Sequence, residues 1–199
     1  MLADGDEGAQ RTPRWSPDGQ QITYLVGQSL FTVPALGGTP RPLIDASGYE
    51  YASPALSPDG RTIAFGRQDG IYLRPALGGD ATRLTAARWP SYPVWSPDGR
   101  RIAFVSDNTW YVYSSAMLGN IAPSSIWIAD VSTHESVRIS DADHLNAAPA
   151  WLPDGRGLLY VSGQGGGRDI YAISLDRSGR PRGRPARLTT GANAHTISI

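Results

Sequence analysis

The chain of 199 residues carries 18 basic and 18 acidic residues, so its formal net charge is zero, and 40% of its residues are hydrophobic. A neutral balance argues against a nucleic-acid partner held mainly through phosphate contacts, because such sites need an excess of basic side chains on one face. Without cysteine the chain can form neither a disulfide nor a thiolate metal site. The single basic cluster, residues 180–187, is predicted to be a solvated loop.

Residues 1–12 are predicted to be a lead-in segment before the first structural unit. They lack the basic region and the apolar core of a secretory signal, and no later apolar run is long enough to span a bilayer. Two alternatives follow from the sequence: the protein is cytoplasmic, or it is exported by a signal that is not part of this chain.

A short turn motif recurs along the rest of the chain. Ser-Pro-Asp-Gly occurs three times, and Leu-Pro-Asp-Gly occurs once, at residues 16–19, 57–60, 96–99 and 152–155. Serine first, proline second and glycine fourth favour a type I turn that closes an antiparallel hairpin. A catalytic carboxylate is normally single, whereas these aspartates recur, so we interpret them as turn residues: Asp18, Asp59, Asp98 and Asp154.

Each turn lies within a unit of four short apolar runs, with Gly-Gly or Ser-Gly between the third and fourth runs of units one, two and four. Four short antiparallel strands per unit of about 40 residues are the pattern of a β-propeller blade. The predicted all-β fold has four four-stranded blades at about 13–44, 50–85, 91–140 and 147–189. Residues 193–199 are predicted to be the first strand of a further blade. We therefore expect a fragment of a propeller with six or more blades, and uncovered end blades that favour self-association.

The repeat resembles that of the TolB-type β-propellers. It reads approximately Pro-x-Trp-Ser-Pro-Asp-Gly, then Ile-Ala-Phe, an Ile-Tyr-Val strand, a Gly-Gly turn and Arg-Leu-Thr, and the resemblance covers residues 13–189. It rests on Trp15, Trp95, Trp151, the four turns and the Arg-Leu-Thr endings. Similar blades occur in periplasmic TolB, in prolyl-oligopeptidase-like serine peptidases, in bacterial kinase sensor regions and beside amidohydrolases. The resemblance implies a periplasmic or other extracytoplasmic location and a protein or peptide partner.

The sequence offers little for catalysis. It contains no Gly-x-Ser-x-Gly nucleophile motif, and the glycine-rich stretch 163–167 lacks the Lys-Ser/Thr of a phosphate-binding loop. Asp141, Asp143 and His144 are close together in the sequence and have side chains that can bind divalent metals, but we interpret them as a polar loop. We expect no catalytic residue, no metal and no cofactor.

Binding is expected at one end of the blades. In a propeller, the loops between strands two and three and those that cross to the next blade emerge on one face, opposite the Pro-Asp-Gly turns, and loops on a rigid scaffold commonly carry recognition. The alternative is that the aromatic rings of this face only cap the blades. The residues predicted to bind a protein or peptide segment there are Tyr49, Tyr51, Arg88, Trp89, Tyr92, Trp110, Tyr111, Tyr113, Asp143, His144, Asn146 and His195.

Two functions are consistent with these features. The first is a non-catalytic binding or sensing module. The second is a propeller that gates substrate access in a serine peptidase or amidohydrolase whose catalytic domain lies outside this chain. The sequence before Met1 and after Ile199 would discriminate between them, because fold alone does not.

Overall fold

The computed structural model describes residues 10–16, 19–26, 29–44, 52–107, 122–195 and 197. These residues form short strands without helices, as follows: β1 (Gln10–Trp15), β2 (Gln21–Val26), β3 (Ser29–Pro34), β4 (Arg41–Ile44), β5 (Ala52–Leu56), β6 (Thr62–Arg67), β7 (Gly70–Pro75), β8 (Thr82–Ala86), β9 (Ser91–Trp95), β10 (Arg101–Ser106), β11 (Ser125–Asp130), β12 (Ser136–Arg138), β13 (Asn146–Trp151), β14 (Gly157–Ser162), β15 (Asp169–Leu175) and β16 (Pro181–Arg187).

The strands form four antiparallel sheets of four strands, each built from consecutive strands. Blade 1 contains β1 to β4, blade 2 contains β5 to β8, blade 3 contains β9 to β12 and blade 4 contains β13 to β16. The predicted all-β propeller fold is confirmed. The first strand begins at Gln10, inside the segment predicted as a lead-in. Residues 193–195 and 197 belong to no strand, and the rest of 193–199 lies outside the described residues, so the extra strand stays a prediction.

A β-bulge interrupts the pairing of the first strand in every blade. In blades 3 and 4 the residue before the proline has a left-handed backbone, with φ of 50° at Tyr92 and 48° at Ala148. Proline has no N–H to donate to the ladder, and a bulge leaves one residue of its strand unpaired. The proline that precedes each turn motif therefore lies in a first strand whose pairing is already interrupted by a bulge, where a missing N–H is tolerated.

The Pro-Asp-Gly turns form as predicted. Their glycines have φ of 67–71°, which glycine adopts without strain. Ser57 Oγ accepts a hydrogen bond from Thr62 N at 2.9 Å and donates to Asp59 Oδ1 at 2.6 Å. The hydrogen bonds from Ser57 and the Arg61 N–H lower the pKa of Asp59. The turn assignments of Asp59, Asp98 and Asp154 are confirmed by such bonds, and Asp18 lies outside the described residues.

Removing the serine hydroxyl of a turn should destabilise its blade. Ser96 is buried, accepts the Arg101 N–H at 2.9 Å and donates to Asp98 at 2.6 Å. Ser96→Ala leaves a strand N–H without its acceptor, so we expect a loss of about 1–2 kcal/mol in the free energy of unfolding. Denaturant titration should give a similar loss for Ser57→Ala and an additive loss for the double variant. Thr190→Ala, at an exposed site, is the control, and equal values for Thr190→Ala and Ser96→Ala would contradict the assignment.

Residues 181–187 of the basic segment form β16, so the prediction of a loop was wrong, while the segment is mostly exposed as predicted. This strand is the outermost of blade 4, where only one edge is paired. Proline is tolerated at such an edge, and charged side chains, proline and bulges discourage pairing with other chains. Gly183 has φ of 80°, Pro181 is the first residue of the strand and Pro185 lies within it, and most residues of the strand are exposed.

Neighbouring blades pack face to face through hydrophobic clusters. Leu30 meets Ile63 and Phe65 between blades 1 and 2, and Leu84 meets Phe104 between blades 2 and 3. The largest cluster joins blades 3 and 4 and contains Ile126, Ile139, Trp151, Tyr160 and Tyr171. Among the described residues no such cluster joins blade 4 to blade 1, so the blades form a series with two ends.

Indole side chains bind each of the last two blades to the blade before it. Trp95 Nε1 donates to Ala55 O of blade 2 at 3.0 Å, and Trp151 Nε1 donates to Val94 O of blade 3 at 3.1 Å. Trp151 is buried and Trp95 is partly buried, and each indole satisfies its N–H on the neighbouring inner strand, which holds the two blades together. The tryptophan of the repeat is therefore an inter-blade contact.

Candidate functional site: the loop face

We call the loop face the end of the blades opposite the Pro-Asp-Gly turns. Its described segments are 68–69, 87–90, 107, 122–124, 139–145, 163–168 and 188–195. The structure places Arg88, Trp89, Asp143, His144 and His195 in these segments, and Tyr92 and Asn146 in or beside the strands that follow them. The other predicted binding residues lie outside the described residues: Tyr49, Tyr51, Trp110, Tyr111 and Tyr113.

Backbone hydrogen bonds hold the crossing loops to the hairpin loops beside them. Trp89 N donates to Gln68 O at 3.0 Å, and Asp107 N donates to Arg88 O at 2.9 Å. In blade 4, Gly163 N donates to Leu145 O at 2.9 Å, the same contact one blade further on. The loop face is thus fixed to the sheets, which is the condition for presenting side chains in a defined geometry.

The predicted residues of the blade 2 crossing loop differ in their surroundings. The Arg88 side chain is exposed, and its carbonyl accepts hydrogen bonds from Asp107 N and, at 3.0 Å, from Ser106 Oγ. Trp89 is half-buried with φ of 49°. Tyr92 is half-buried against the cluster between blades 3 and 4, so its ring caps the blades. Arg88 is exposed and Trp89 is half-buried, so both present side-chain surface to a partner.

Asp141, His144 and Asn146 form a hydrogen-bonded cluster in the loop that crosses from blade 3 to blade 4. Asp141 Oδ1 accepts from Asp143 N at 3.0 Å, from His144 N at 3.1 Å and from His144 Nδ1 at 3.0 Å. Burial raises the pKa of Asp141, but hydrogen bonds from His144 and from the Asp143 N–H outweigh it, so the pKa is lower than usual.

Asn146 is fully buried, and its side-chain amide donates to the carbonyls of Ser124, Asp141 and His144 at 2.8–3.1 Å. It therefore ties the end of the third-blade insertion to the crossing loop. The part of the chain that the structure describes contains no group of three or more histidine and carboxylate side chains placed to hold a metal ion.

The structure reveals a buried carboxylate that the sequence analysis did not single out. Asp169 is fully buried and accepts hydrogen bonds from Arg187 Nη2 at 2.5 Å, Ala192 N at 3.0 Å and Thr189 Oγ1 at 3.1 Å. Thr189 Oγ1 also accepts the Ile170 N–H at 2.9 Å. The Ala192 N–H, followed by Arg187 and Thr189, lowers the pKa of Asp169 against the opposing effect of burial. These contacts fold the loop after β16 back onto the blade.

A signal for this contact was present in the sequence, because Arg-Leu-Thr follows an aspartate that lies just before the third strand in blade 2 and at its start in blade 4. In blade 2 the corresponding pair, Arg83 and Asp69, is exposed and 3.2 Å apart. In blade 4 a Cβ on Gly165 would lie 2.6 Å from the Arg187 guanidinium carbon. The glycine-rich stretch therefore provides the space in which Arg187 reaches Asp169.

Arg168 and His195 extend the loop face beside this buried pair. Arg168 Nη1 lies 3.1 Å from His195 Nδ1, and because a guanidinium only donates, Nδ1 is the acceptor. The His195 ring is exposed and carries its proton on Nε2 in this arrangement. It can therefore donate one hydrogen bond to a partner at the surface.

Two adjoining cavities on the turn side form a groove that the sequence analysis missed. Their volumes are about 230 and 220 Å³, and they share Ser16, Thr23, Leu56 and Pro58 as lining residues. Trp15 and Trp95 line the inner cavity, and Leu77 lines the outer one. The groove follows the junction of blades 1 and 2. The side chains that line it therefore leave part of this junction open.

Comparison with known proteins identifies the fold. No family model matches the chain, and no curated protein matches its sequence. Among solved structures, a protein described as TolB from Agrobacterium tumefaciens superposes with a TM-score of 0.74 and 22% identity, over 93% of this chain and 63% of that one. TolB from Acinetobacter baumannii gives a TM-score of 0.69 and 19% identity, over 92% of this chain and 44% of that one.

The tricorn protease also matches, with a TM-score of 0.58 and 13% identity over 84% of this chain and 18% of that one. These likenesses confirm the resemblance to TolB-type β-propellers at the level of the fold. The chain spans less than two thirds of the length of either TolB structure. In the described residues, no helix is long and apolar enough to cross a bilayer.

Proposed function

We propose that the chain is a non-catalytic binding module that holds a protein or peptide segment at its loop face, in an extracytoplasmic compartment. The observation that carries the proposal is the placement of Arg88 and Trp89 on a crossing loop that is hydrogen-bonded to both neighbouring hairpins. Tryptophan and arginine are the residues that most often dominate binding energy, and they do so best when held rigidly. The fold shared with TolB supports the proposal by likeness.

The carboxylates of the described residues favour binding over catalysis. Asp59, Asp98, Asp141, Asp169 and Asp176 each accept hydrogen bonds from backbone N–H groups or neighbouring side chains. Carboxylates that satisfy loops and turns in this way act as structural acceptors. Among the described residues of the loop face, the exposed polar side chains available to a partner include the Arg88 guanidinium and the His195 imidazole.

Peptide selection on the purified chain tests the proposal. We expect selected peptides whose affinity falls about 30-fold in Trp89→Ala, since truncating a central tryptophan anchor typically removes about 2 kcal/mol of binding free energy. Arg88→Ala should weaken the same peptides by a smaller factor. Leu77→Ala and Arg177→Ala, both on the turn side, are the matched controls.

Two results would count against this function. One is a selection that yields no peptide tighter than background. The other is a set of peptides whose affinity falls in Leu77→Ala and not in Trp89→Ala, which would place binding in the turn-side groove. Thermal unfolding of each variant separates loss of binding from loss of the fold.

A further inference from the structure

A cavity of about 190 Å³ lies on the turn side, where blade 3 meets the hairpin between the third and fourth strands of blade 4. Three arginines line it: Arg101 begins β10, and Arg177 and Arg180 lie in the blade 4 hairpin. Asp130 and Glu135, from the corresponding hairpin of blade 3, line it as well. The cavity is separate from the loop face, so the binding proposed there makes no use of it.

Arg101 is held in place against the blade 4 hairpin. Its Nη2 donates a hydrogen bond to the Arg177 carbonyl oxygen, and a Cβ on Gly179 would lie 3.0 Å from its Nε. Gly179 is buried and has φ of 80°, so glycine there provides both the turn and the room for the guanidinium. The Arg101 Nε is buried and has no hydrogen-bond acceptor in the described part of the chain. The fold therefore positions this charge and leaves part of its hydrogen-bonding capacity unused.

The carboxylates beside the cavity do not neutralise its arginines. Within the described ranges, none of the three guanidinium groups forms an ion pair. Asp130 Oδ1 instead accepts hydrogen bonds from Ser132 N, Ser132 Oγ and Thr133 N at 2.7–3.0 Å, which hold it to its own hairpin. Glu135 is exposed, so water screens its charge. The cavity therefore keeps three cationic groups that are free to meet an anion.

The same place between blades 1 and 2 has different chemistry. The outer cavity there, of about 220 Å³, is lined by Leu43 of blade 1 and by Ala76 and Leu77 of the blade 2 hairpin. Among the described residues that line it, the one arginine is Arg41. Both junctions join four-stranded antiparallel blades through a hydrophobic cluster. The packing of blades therefore does not require three arginines at this position.

We propose that the cavity between blades 3 and 4 binds a phosphate group, as the free ion or as part of a phosphomonoester, through Arg101, Arg177 and Arg180. A guanidinium presents its donors in a planar fork that matches phosphate and carboxylate oxygens. One fork satisfies a carboxylate, whereas the oxygens of a phosphate accept from several forks at once, and clusters of arginine are a recurring way to recognise phosphorylated groups. Asp130 and Glu135 oppose the anion, so we expect a Kd on the order of 1 mM.

NMR titration of the isotope-labelled 199-residue chain with inorganic phosphate and with glycerol phosphate, at an ionic strength held constant with sodium chloride, tests the proposal. Saturable shifts are expected in residues 130–135 and 176–180. Arg177→Ala and Arg180→Ala should each weaken binding at least about fivefold. Glu135→Gln should tighten it about two- to threefold, because a charge of the same sign as the ligand is removed. Arg138→Ala, an equal change of charge at an exposed site of β12 outside the cavity, is the matched control and should leave the affinity unchanged.

The two ligands distinguish the sources of the phosphate group. A monoester that binds more tightly than the free ion assigns the site to a phosphorylated molecule, and one that binds equally or more weakly assigns it to the free ion. Acetate at the same ionic strength should cause no saturable shift, and acetate that binds as tightly as phosphate would overturn the choice of ligand. Phosphate shifts that do not saturate, equal losses in Arg138→Ala and Arg180→Ala, or an unchanged affinity in Glu135→Gln would each overturn the site. Unchanged chemical shifts of the hydrophobic clusters in each variant show that it is folded.

Discussion

Trp151→Ala is expected to reduce the free energy of unfolding by about 3–5 kcal/mol, the range for removing a buried large aromatic side chain. Trp151 is 7% exposed and belongs to the cluster between blades 3 and 4. The variant leaves a cavity at this junction and also leaves Val94 O without the indole donor that lies 3.1 Å away. Denaturant titration should show the loss, and the thermal midpoint should fall by roughly 10 °C.

Trp15→Ala is the matched control, because Trp15 has the same position in the repeat and is followed by the same Pro-Asp-Gly turn. With two thirds of its surface in solvent, its removal should change the unfolding free energy by less than about 0.5 kcal/mol. Equal losses in the two variants would show that the tryptophan stabilises its own blade, and would refute the assignment of an inter-blade role.

Asp169→Asn should be the most destabilising change of a charged residue on the loop face. The carboxylate is fully buried and receives hydrogen bonds from Arg187, Thr189 and the Ala192 N–H. An amide in its place presents one acceptor where three donors converge and leaves the Arg187 guanidinium without its counter-ion. We expect the thermal midpoint to fall by at least about 5 °C, with increased hydrogen exchange in residues 188–195.

The effect should depend on pH in a direction set by the lowered pKa of Asp169. Because the folded carboxyl has a lower pKa than in the unfolded chain, its stabilisation is complete above the unfolded pKa of about 4 and is lost as the pH falls through the folded pKa. The difference between the unaltered chain and Asp169→Asn should thus be constant above about pH 5 and shrink below about pH 4. Asp69→Asn, which removes the exposed equivalent, should have little effect at any pH. A difference that persists undiminished at low pH would contradict the role of the ionised carboxylate.

Local chemistry made most of the fold predictable. Proline, aspartate and glycine at fixed places in each turn determine the hairpins, and Ser57 and Ser96 accept the hydrogen bonds that the turn pattern leads one to expect. The Gly-Gly pairs between third and fourth strands have positive φ at Gly37, Gly38, Gly78 and Gly79. The segment 180–187 misled the sequence analysis because proline and glycine also fit an outermost strand, which needs hydrogen bonds along one edge only.

The loop face was less predictable, because the role of its residues depends on contacts between segments far apart in the chain. Asn146 was expected to bind a partner, yet it is buried and bonded to Ser124 across the blade 3 insertion. Asp169 is a single acidic residue in a strand, and no binding or structural role was predicted for it. Arg187 at the end of β16 and Ala192 in the loop that follows reach it only in the folded chain. The position of these partners is set by the pairing of β15 with β16 and by the path of the chain after β16, which the recurring Arg-Leu-Thr indicates only in part.

By itself, the sequence determined the four-strand repeat, its turns, the antiparallel pairing and the end of the blades at which the variable loops emerge, because these follow from backbone sterics and side-chain hydrogen bonds within a few residues. Only the tertiary structure decided which copies of a repeated residue are buried. Trp15 and Trp151 occupy equivalent places in the repeat, and their environments differ because burial requires a neighbouring blade. Inter-blade contact, rather than local sequence, therefore distinguishes a core tryptophan from an exposed one in this protein.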